Sequence, residues 1–287
     1  MGNVDLHIHS TFSDGTNTPQ ELIHLAEQAG LSAVALCDHN TVAGLPEFMA
    51  AAENSHVEGI PGIEFSTDYR GRELHILGLF VESGDYAAVM DKVTFMLAEK
   101  EKSNRDLVET LKHEGILLDY EHIKAGTPNG QVNRAVIAAE MVRLGYCDTV
   151  QDCFKKWLSP KRGFYKPPMR LDVFDVIAFI KSIGAVAVLA HPFLNLEEKD
   201  LRGFLQEAVP CGLDAMEVYY PKFTPEQTEC AFRLAGEYGI LPSGGSDYHG
   251  DNKPDIRIGS GKGELNVHRK ILEQLFMKKS PNCYKMM

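Results

Sequence analysis

The chain has 287 residues, 44% hydrophobic, 24% charged and 9% aromatic, an ordinary globular composition that excludes disorder, collagen and coiled-coil architectures. Its net charge of −11 disfavours a surface that wraps long nucleic acid but suits a pocket that collects cations. No stretch approaches the roughly 20 apolar residues of a membrane span, Val4 to His9 is too polar for a signal peptide, and six scattered cysteines without CxxC pairs suggest reduced thiols in a cytoplasm.

Val4, Leu6 and Ile8 alternate with Asp5, His7 and His9, the period of a strand. Thr18-Pro19-Gln20-Glu21 opens a helix as a capping box and Gly30 closes it. Ser32 to Cys37 is a short buried strand, a helix follows over Leu45 to Glu53, and strands are expected at Gly59 to Ser66 and Glu73 to Val81. From about residue 98 to 168 the text turns to polar helical segments, including Lys100 to His113 and Val132 to Leu144. Breaks at Gly126-Thr127-Pro128-Asn129-Gly130 and Lys166-Pro167-Pro168 mark this part as a helical insertion or cap. The alternation then resumes with a helix over Asp172 to Ile183 and strands at Ala185 to Ala190 and Asp214 to Tyr219. A second capping box at Thr224-Pro225-Glu226-Gln227 opens a helix ending near Gly239, and a strand over Ile240 to Gly245 follows. An α/β barrel or wound sheet is expected, in two pieces: 1–97 with 169–287, and 98–168.

Polar residues capable of chemistry gather at these strands. His7 and His9 lie two apart and so share a strand face, which lets two imidazoles converge on one divalent ion. Asp14 is followed by Gly15, and Asp-Gly is also a common turn dipeptide. Asp38-His39, His191-Pro192 and Ser246-Asp247-Tyr248-His249 each follow an apolar strand, where α/β proteins place their sites. Glu64 is read at a strand end and His75 inside an apolar run. Each of these has an ordinary structural alternative. Together, His7, His9, Asp14, His39, Glu64, His75, His191, Asp247 and His249 offer more nitrogen and oxygen donors than one ion can use, which implies two or three divalent cations. Three would bring the formal charge to about −5. His24, His56, His113, His122 and His268 read as surface residues.

The His-x-His, Asp-His, His-Pro and Ser-Asp-x-His motifs, in that order from residue 7 to 249, make the sequence resemble the PHP domain (polymerase and histidinol phosphatase) family of metal-dependent phosphoesterases. The resemblance implies a distorted (β/α)7 barrel with a metal cluster at the strand C-termini. The insertion resembles that of a subgroup acting on nucleotides and on the 5′ ends of short RNA. It implies a first metal on His7, His9, Glu64 and Asp247, a second on Glu64, His75 and His191, and a third on Asp14, His39 and His249. Manganese is the first choice of metal, with iron or zinc as options. The catalytic set is His7, His9, Glu64, Asp247 and His191, around a hydroxide that bridges two metals and attacks phosphorus in line. Asp38 is assigned to orienting an imidazole, the alternative being that it merely ends its strand.

In the insertion, Arg134 at a helix start and Lys166 are the phosphate-binding candidates. Lys161, Arg162, Lys166 and Arg170, interleaved with Phe164 and Tyr165, suit a phosphate plus a stacked base, or a charged linker. The expected activity is hydrolysis of a phosphomonoester of a small nucleotide-like substrate: a nucleoside 5′-monophosphate or 3′,5′-bisphosphate, or the end of a short RNA. Alternatives are a histidinol-phosphate phosphatase, a related metal-dependent amidohydrolase and a non-catalytic metal-binding regulatory module. No membrane association and no obligate protein partner are expected.

Overall fold

The architecture was established from a computed structural model that describes residues 2–127, 130 and 132–279. Pro128, Asn129 and Cys283, singled out in the sequence, lie outside the described residues.

Local chemistry sets the elements. The first strand is β1 (Asn3–Ile8). Helix α1 (Pro19–Gln28) starts with both halves of the Thr18/Glu21 capping box formed, and Gly30 takes the left-handed φ of 69° that turns the chain away. β2 (Ala33–Leu36), α2 (Leu45–Ala52), β3 (Glu58–Tyr69) and β4 (Arg72–Leu79) follow. β3 and β4 form a hairpin through Arg70 and Gly71, both at positive φ (54° and 79°) as a two-residue turn of this hand demands. This corrects the sequence reading of Glu64 as a strand end: β3 continues five residues further, and Glu64 sits within it, paired with Leu77.

The helical middle comprises α3 (Tyr86–His113), α4 (Tyr120–Ala125), α5 (Arg134–Arg143) and the short α6 (Val150–Cys153). Then come β5 (Leu171–Asp172), α7 (Val173–Ser182), β6 (Val186–Leu189), α8 (Glu198–Ala208), β7 (Ala215–Tyr219), α9 (Pro225–Tyr238), β8 (Leu241–Gly244), β9 (Val267–His268) and α10 (Arg269–Phe276).

The strands form one sheet in the order β8-β7-β6-β4-β3-β2-β1-β9, with β5 on β3. Pairing is parallel for β1–β2, β2–β3, β6–β7 and β7–β8, and antiparallel for β3–β4, β4–β6 and β1–β9. The sheet nearly closes on itself. Ile8 bridges to Tyr248, His9 N–H donates to the Tyr248 carbonyl (2.9 Å) and Asp247 N–H to the His7 carbonyl (2.8 Å). The protein is therefore an α/β barrel built on seven main strands and two short ones, as expected.

The chain divides into two compact units, Met1–Met90 with Leu171–Met287, and Asp91–Arg170. In the first, Val4, Leu6, Ala33, Ala35, Leu77, Val186 and Val188 pack with Leu272 and Leu275 of α10. In the second, Leu107, Leu111, Ile137, Met141, Cys153 and Leu158 form a separate core. Cys37, Cys147, Cys153, Cys211 and Cys230 are free thiols. Among the described residues no helix is long and apolar enough to cross a membrane.

Candidate metal centre

All nine predicted donors come together in the first unit. Glu64 is fully buried at their middle. Its Oε1 lies 2.8 Å from His75 Nδ1 and 3.0 Å from His191 Nε2. Its Oε2 lies 3.2 Å from His7 Nε2, 3.2 Å from His9 Nε2 and 3.1 Å from His39 Nδ1. The Nε2 atoms of His7 and His9 are 3.0 Å apart. On the other side of His9, Asp247 Oδ1 is 3.3 Å from His9 Nε2, and Asp14 Oδ1 is 3.2 Å from His249 Nε2 and 3.7 Å from His9 Nδ1. His39 Nε2 completes this side at 3.8 Å from Asp14 Oδ2.

Three sets of donor atoms each converge within 4.8 Å: His9, Asp14, His39 and His249; His7, His9 and Glu64; and His39, Glu64 and His75. The grouping differs from the implied one: His9 joins the Asp14 set as well as His7 and Glu64, His39 joins Glu64 and His75 as well as Asp14 and His249, and Asp247 and His191 belong to none of the three sets.

These atoms suit divalent cations. Glu64 Oε2 and His39 Nδ1 are buried yet make no hydrogen bond, although ring nitrogens stand 3.1–3.2 Å from that oxygen. A buried carboxylate oxygen left so is costly unless a cation shares it. Imidazole nitrogen with carboxylate oxygen is the mixed donor set that accepts manganese, iron or zinc.

The electrostatics agree. Burial opposes the charge on Glu64, Asp14 and Asp247, but the surrounding histidines, and Lys253 beside Asp247, hold all three carboxyls well below the usual range. Burial likewise opposes protonation of His9 and His75. Hydrogen bonds and charge from Asp247 and Glu64 nevertheless raise His9 to about 9, and Glu64 with Glu73 raises His75 to about 10. Burial dominates at His39 and lowers it to about 3. Without cations, protons on some histidines balance the carboxylates.

A second circle of residues, absent from the sequence reading, aims these donors. Glu217 Oε1 lies 3.0 Å from His7 Nδ1, and its Oε2 accepts the His191 backbone N–H at 2.7 Å. With Nδ1 so engaged, His7 Nε2 is the atom left facing the centre. The sheet's register shifts within β1 between Asp5 and Ile8 and within β7 between Glu217 and Tyr219, on either side of this contact, as expected where an irregular strand re-aims a side chain. Tyr220 Oη and Lys253 Nζ both donate to Asp247 Oδ2 (2.8 and 2.6 Å), which leaves Oδ1 for the histidines. Asp5 accepts the Ser246 and Gly259 N–H groups (2.8 and 2.7 Å) and anchors the loop that carries Asp247. One signal was available: Glu217 is a carboxylate inside the apolar run of β7, the criterion that singled out His75.

Asp38 touches no imidazole. Its oxygens accept Ser10 N–H (2.8 Å), Ser10 Oγ (2.6 Å) and Ser13 Oγ (2.6 Å), and it reaches His9 only through Ser13 Oγ, 3.5 Å from His9 Nδ1. Backbone strain marks the site as well: Asn40, His191 and Asp247 hold φ values of 53°, 29° and 54°.

Arg134 and Lys166 belong to the second unit. Arg134 opens α5, donates to the Leu158 carbonyl (3.3 Å) and lies over the rings of Tyr165 (4.2 Å) and Phe154 (5.6 Å). Lys166 is exposed, and its carbonyl accepts from Ser103 Oγ. His24, His56, His113, His122 and His268 are all exposed.

Comparison with known proteins shows what this arrangement resembles. The PHP domain profile matches residues 5–165. A 5′-3′ exoribonuclease of Haemophilus influenzae is 34% identical over 85% of this chain and 89% of its own. A phosphoribosyl 1,2-cyclic phosphate 1,2-diphosphodiesterase of Eggerthella lenta is 32% identical over 86% and 94%. Among solved structures, one from Bifidobacterium adolescentis assigned as a metal-dependent phosphoesterase superposes with a TM-score of 0.85 at 27% identity, over 97% of this chain and 96% of that one.

Proposed function

The chain belongs to the PHP-domain family and is a metal-dependent phosphoesterase, and from that premise we propose that it hydrolyses a phosphomonoester of a nucleotide-like substrate: a nucleoside 5′-monophosphate or 3′,5′-bisphosphate, or the 5′ end of a short RNA. The observation that carries this reading is the buried Glu64 carboxylate, ringed by five imidazoles with one oxygen left without a hydrogen bond. The two similar relatives act on different phosphate esters, so the fold supplies ester cleavage at phosphorus and the chain's own contacts select the ester.

His7, His9, Asp14, His39, Glu64, His75, His191, Asp247 and His249 would hold two or three divalent cations, with Glu64 shared. Such cations supply Lewis acidity, offsetting charge on the phosphoryl oxygens and activating water at neutral pH. The chain does the rest. Glu217 keeps the His7 ring oriented with Nε2 inward, and the Asp247 carbonyl beside His249 Nδ1 (2.9 Å) does the same for His249, whose Nε2 faces Asp14. Tyr220 and Lys253 hold Asp247 in one rotamer. Arg134 and Lys166 are assigned to substrate phosphate.

The test is phosphate release by the purified protein with Mn²⁺ on four substrates: a nucleoside 5′-monophosphate, a nucleoside 3′,5′-bisphosphate, histidinol phosphate and a short 5′-phosphorylated RNA. Turnover of any of the three nucleotide-like esters in preference to histidinol phosphate is expected. Turnover of histidinol phosphate alone, or of none with metals verified in the protein, overturns the proposal.

A further inference from the structure

The second unit carries basic residues beyond the phosphate-binding candidates Arg134 and Lys166. Between Asp152 and Asp172 the chain has six basic residues (Lys155, Lys156, Lys161, Arg162, Lys166 and Arg170) and no acidic one, in a protein of net charge −11. The local fold gathers part of this charge around aromatic rings. Residues Phe154–Leu158 form a π-helical turn, a rare conformation frequent at functional sites, followed by a 3₁₀ turn over Pro160–Arg162. Arg162 Nε donates to the Lys155 carbonyl (2.5 Å), which folds the second turn back on the first. Gly163, at φ 84°, reverses the chain so that Phe164 meets Trp157, with ring centroids 5.2 Å apart.

The lysines of this surface are uncompensated. Lys155, Lys156 and Lys161 are exposed, and none forms an ion pair among the described residues. Elsewhere in the same unit several cations are paired: Arg105 with Glu101 and Glu121, Lys124 with Glu101, and Arg143 with Glu140. Three exposed lysines without an ion pair among the described residues, in the segment that carries two half-buried rings on the edge of the unit's core, combine a track for phosphates with a platform for bases.

We propose that Lys155, Lys156 and Lys161, with the Trp157–Phe164 ring pair, form a docking surface for single-stranded RNA. It rests on the reading of the chain as a phosphoesterase of nucleotide-like substrates, and it adds a preference for several linked nucleotides over one. A duplex hides its base faces from the rings, so single strands are selected. An anionic membrane fits less well, because the segment forms no amphipathic helix and its apolar members Leu158 and Tyr165 are buried in the unit's own core.

Trp157 is the chain's only tryptophan, so its fluorescence reports on this surface alone. The experiment titrates the full-length, Mn²⁺-supplemented protein with an oligouridylate of about ten nucleotides. Phosphorothioate linkages throughout keep it from being consumed. Saturable quenching is expected, and three neutralised phosphates weaken affinity roughly 20-fold between about 50 and about 200 mM salt. The exposed pair K155E/K156E, its fold verified by circular dichroism, should bind at least about tenfold more weakly; the milder K155Q/K156Q pair should fall between it and the parent. The proposal is overturned by no quenching, by salt-independent quenching, by equal quenching with a duplex of the same length or with phosphatidylserine vesicles, or by charge-reversed protein that binds like the parent. Protein that releases phosphate from nucleotides without quenching overturns only this surface. Protein that quenches but releases no phosphate overturns only the proposed activity.

Discussion

Glu64 sets both of its oxygens among imidazoles, and one of the two forms no hydrogen bond. On the proposed reading, removing one of the nine donors would empty a cation site and leave the apolar core in place. His9→Ala and Asp247→Ala are therefore expected to lower phosphate release by about 10³-fold or more and to reduce bound metal, with an unchanged circular dichroism spectrum. Near-parental turnover in either variant would remove that residue from the metal set. Glu217→Gln acts one step back, through the His7 ring, and should weaken metal affinity by about 10–100-fold in a metal titration. A neighbouring glycine is set by space: a Cβ on Gly245 would stand 2.5 Å from both the backbone nitrogen and the Cβ of His7. Gly245→Ala should cost about 1–3 kcal/mol in urea denaturation, and a stability equal to the parent's would show that the loop yields.

Elements differ in how openly the sequence declares them. Helices α1 and α9 each begin with Thr-Pro and a reciprocal capping residue, and both boxes are formed in the structure. Thr224→Ala should cost about 1 kcal/mol of stability. The β3–β4 hairpin was less legible, since Arg-Gly is a weaker turn signal than Asn-Gly, and this placed Glu64 nearer a strand end than it is. Helix α5 shows the opposite difficulty. Its first residue, Arg134, was read for substrate phosphate, and the structure also ties it to the Leu158 carbonyl and the Tyr165 and Phe154 rings. Arg134→Ala is expected to raise KM and also to speed hydrogen exchange over residues 154–165. Lysine would not restore the latter, lacking the planar fork that stacks and donates together. Unchanged exchange would leave Arg134 with the substrate role alone.

For the whole molecule, charge balance couples stability to metal and pH. Burial opposes protonation of His9 and His75, but neighbouring carboxylates raise them from 6.5 to about 9 and about 10. Groups raised on folding stabilise fully below the unfolded value and lose that contribution as pH rises through the folded one. The chelated protein should therefore lose thermal stability between about pH 6.5 and 10. On the proposed reading Mn²⁺ would take the place of the protons, so the rise in Tm on adding it should grow across this window. A rise independent of pH would show that these histidines do not exchange protons for metal.

Sequence by itself determined the strand–helix alternation, the capped helix starts and which nine His, Asp and Glu residues the fold brings together, because periodicity, caps and a polar residue beside an apolar strand are local properties of the chain. Only the tertiary structure decided that Glu64 stands at the middle, that Glu217, Tyr220 and Lys253 contact its neighbours, and that Asp38 accepts from Ser10 and Ser13 and reaches His9 through the Ser13 hydroxyl. Those contacts join residues far apart in the chain, Glu217 with His7 across 210 positions and His191 with Glu64 across 127. The Glu217–His7 contact, from β7 to β1, exists only once the sheet has curved until Ile8 meets Tyr248, a closure that no local pattern specifies.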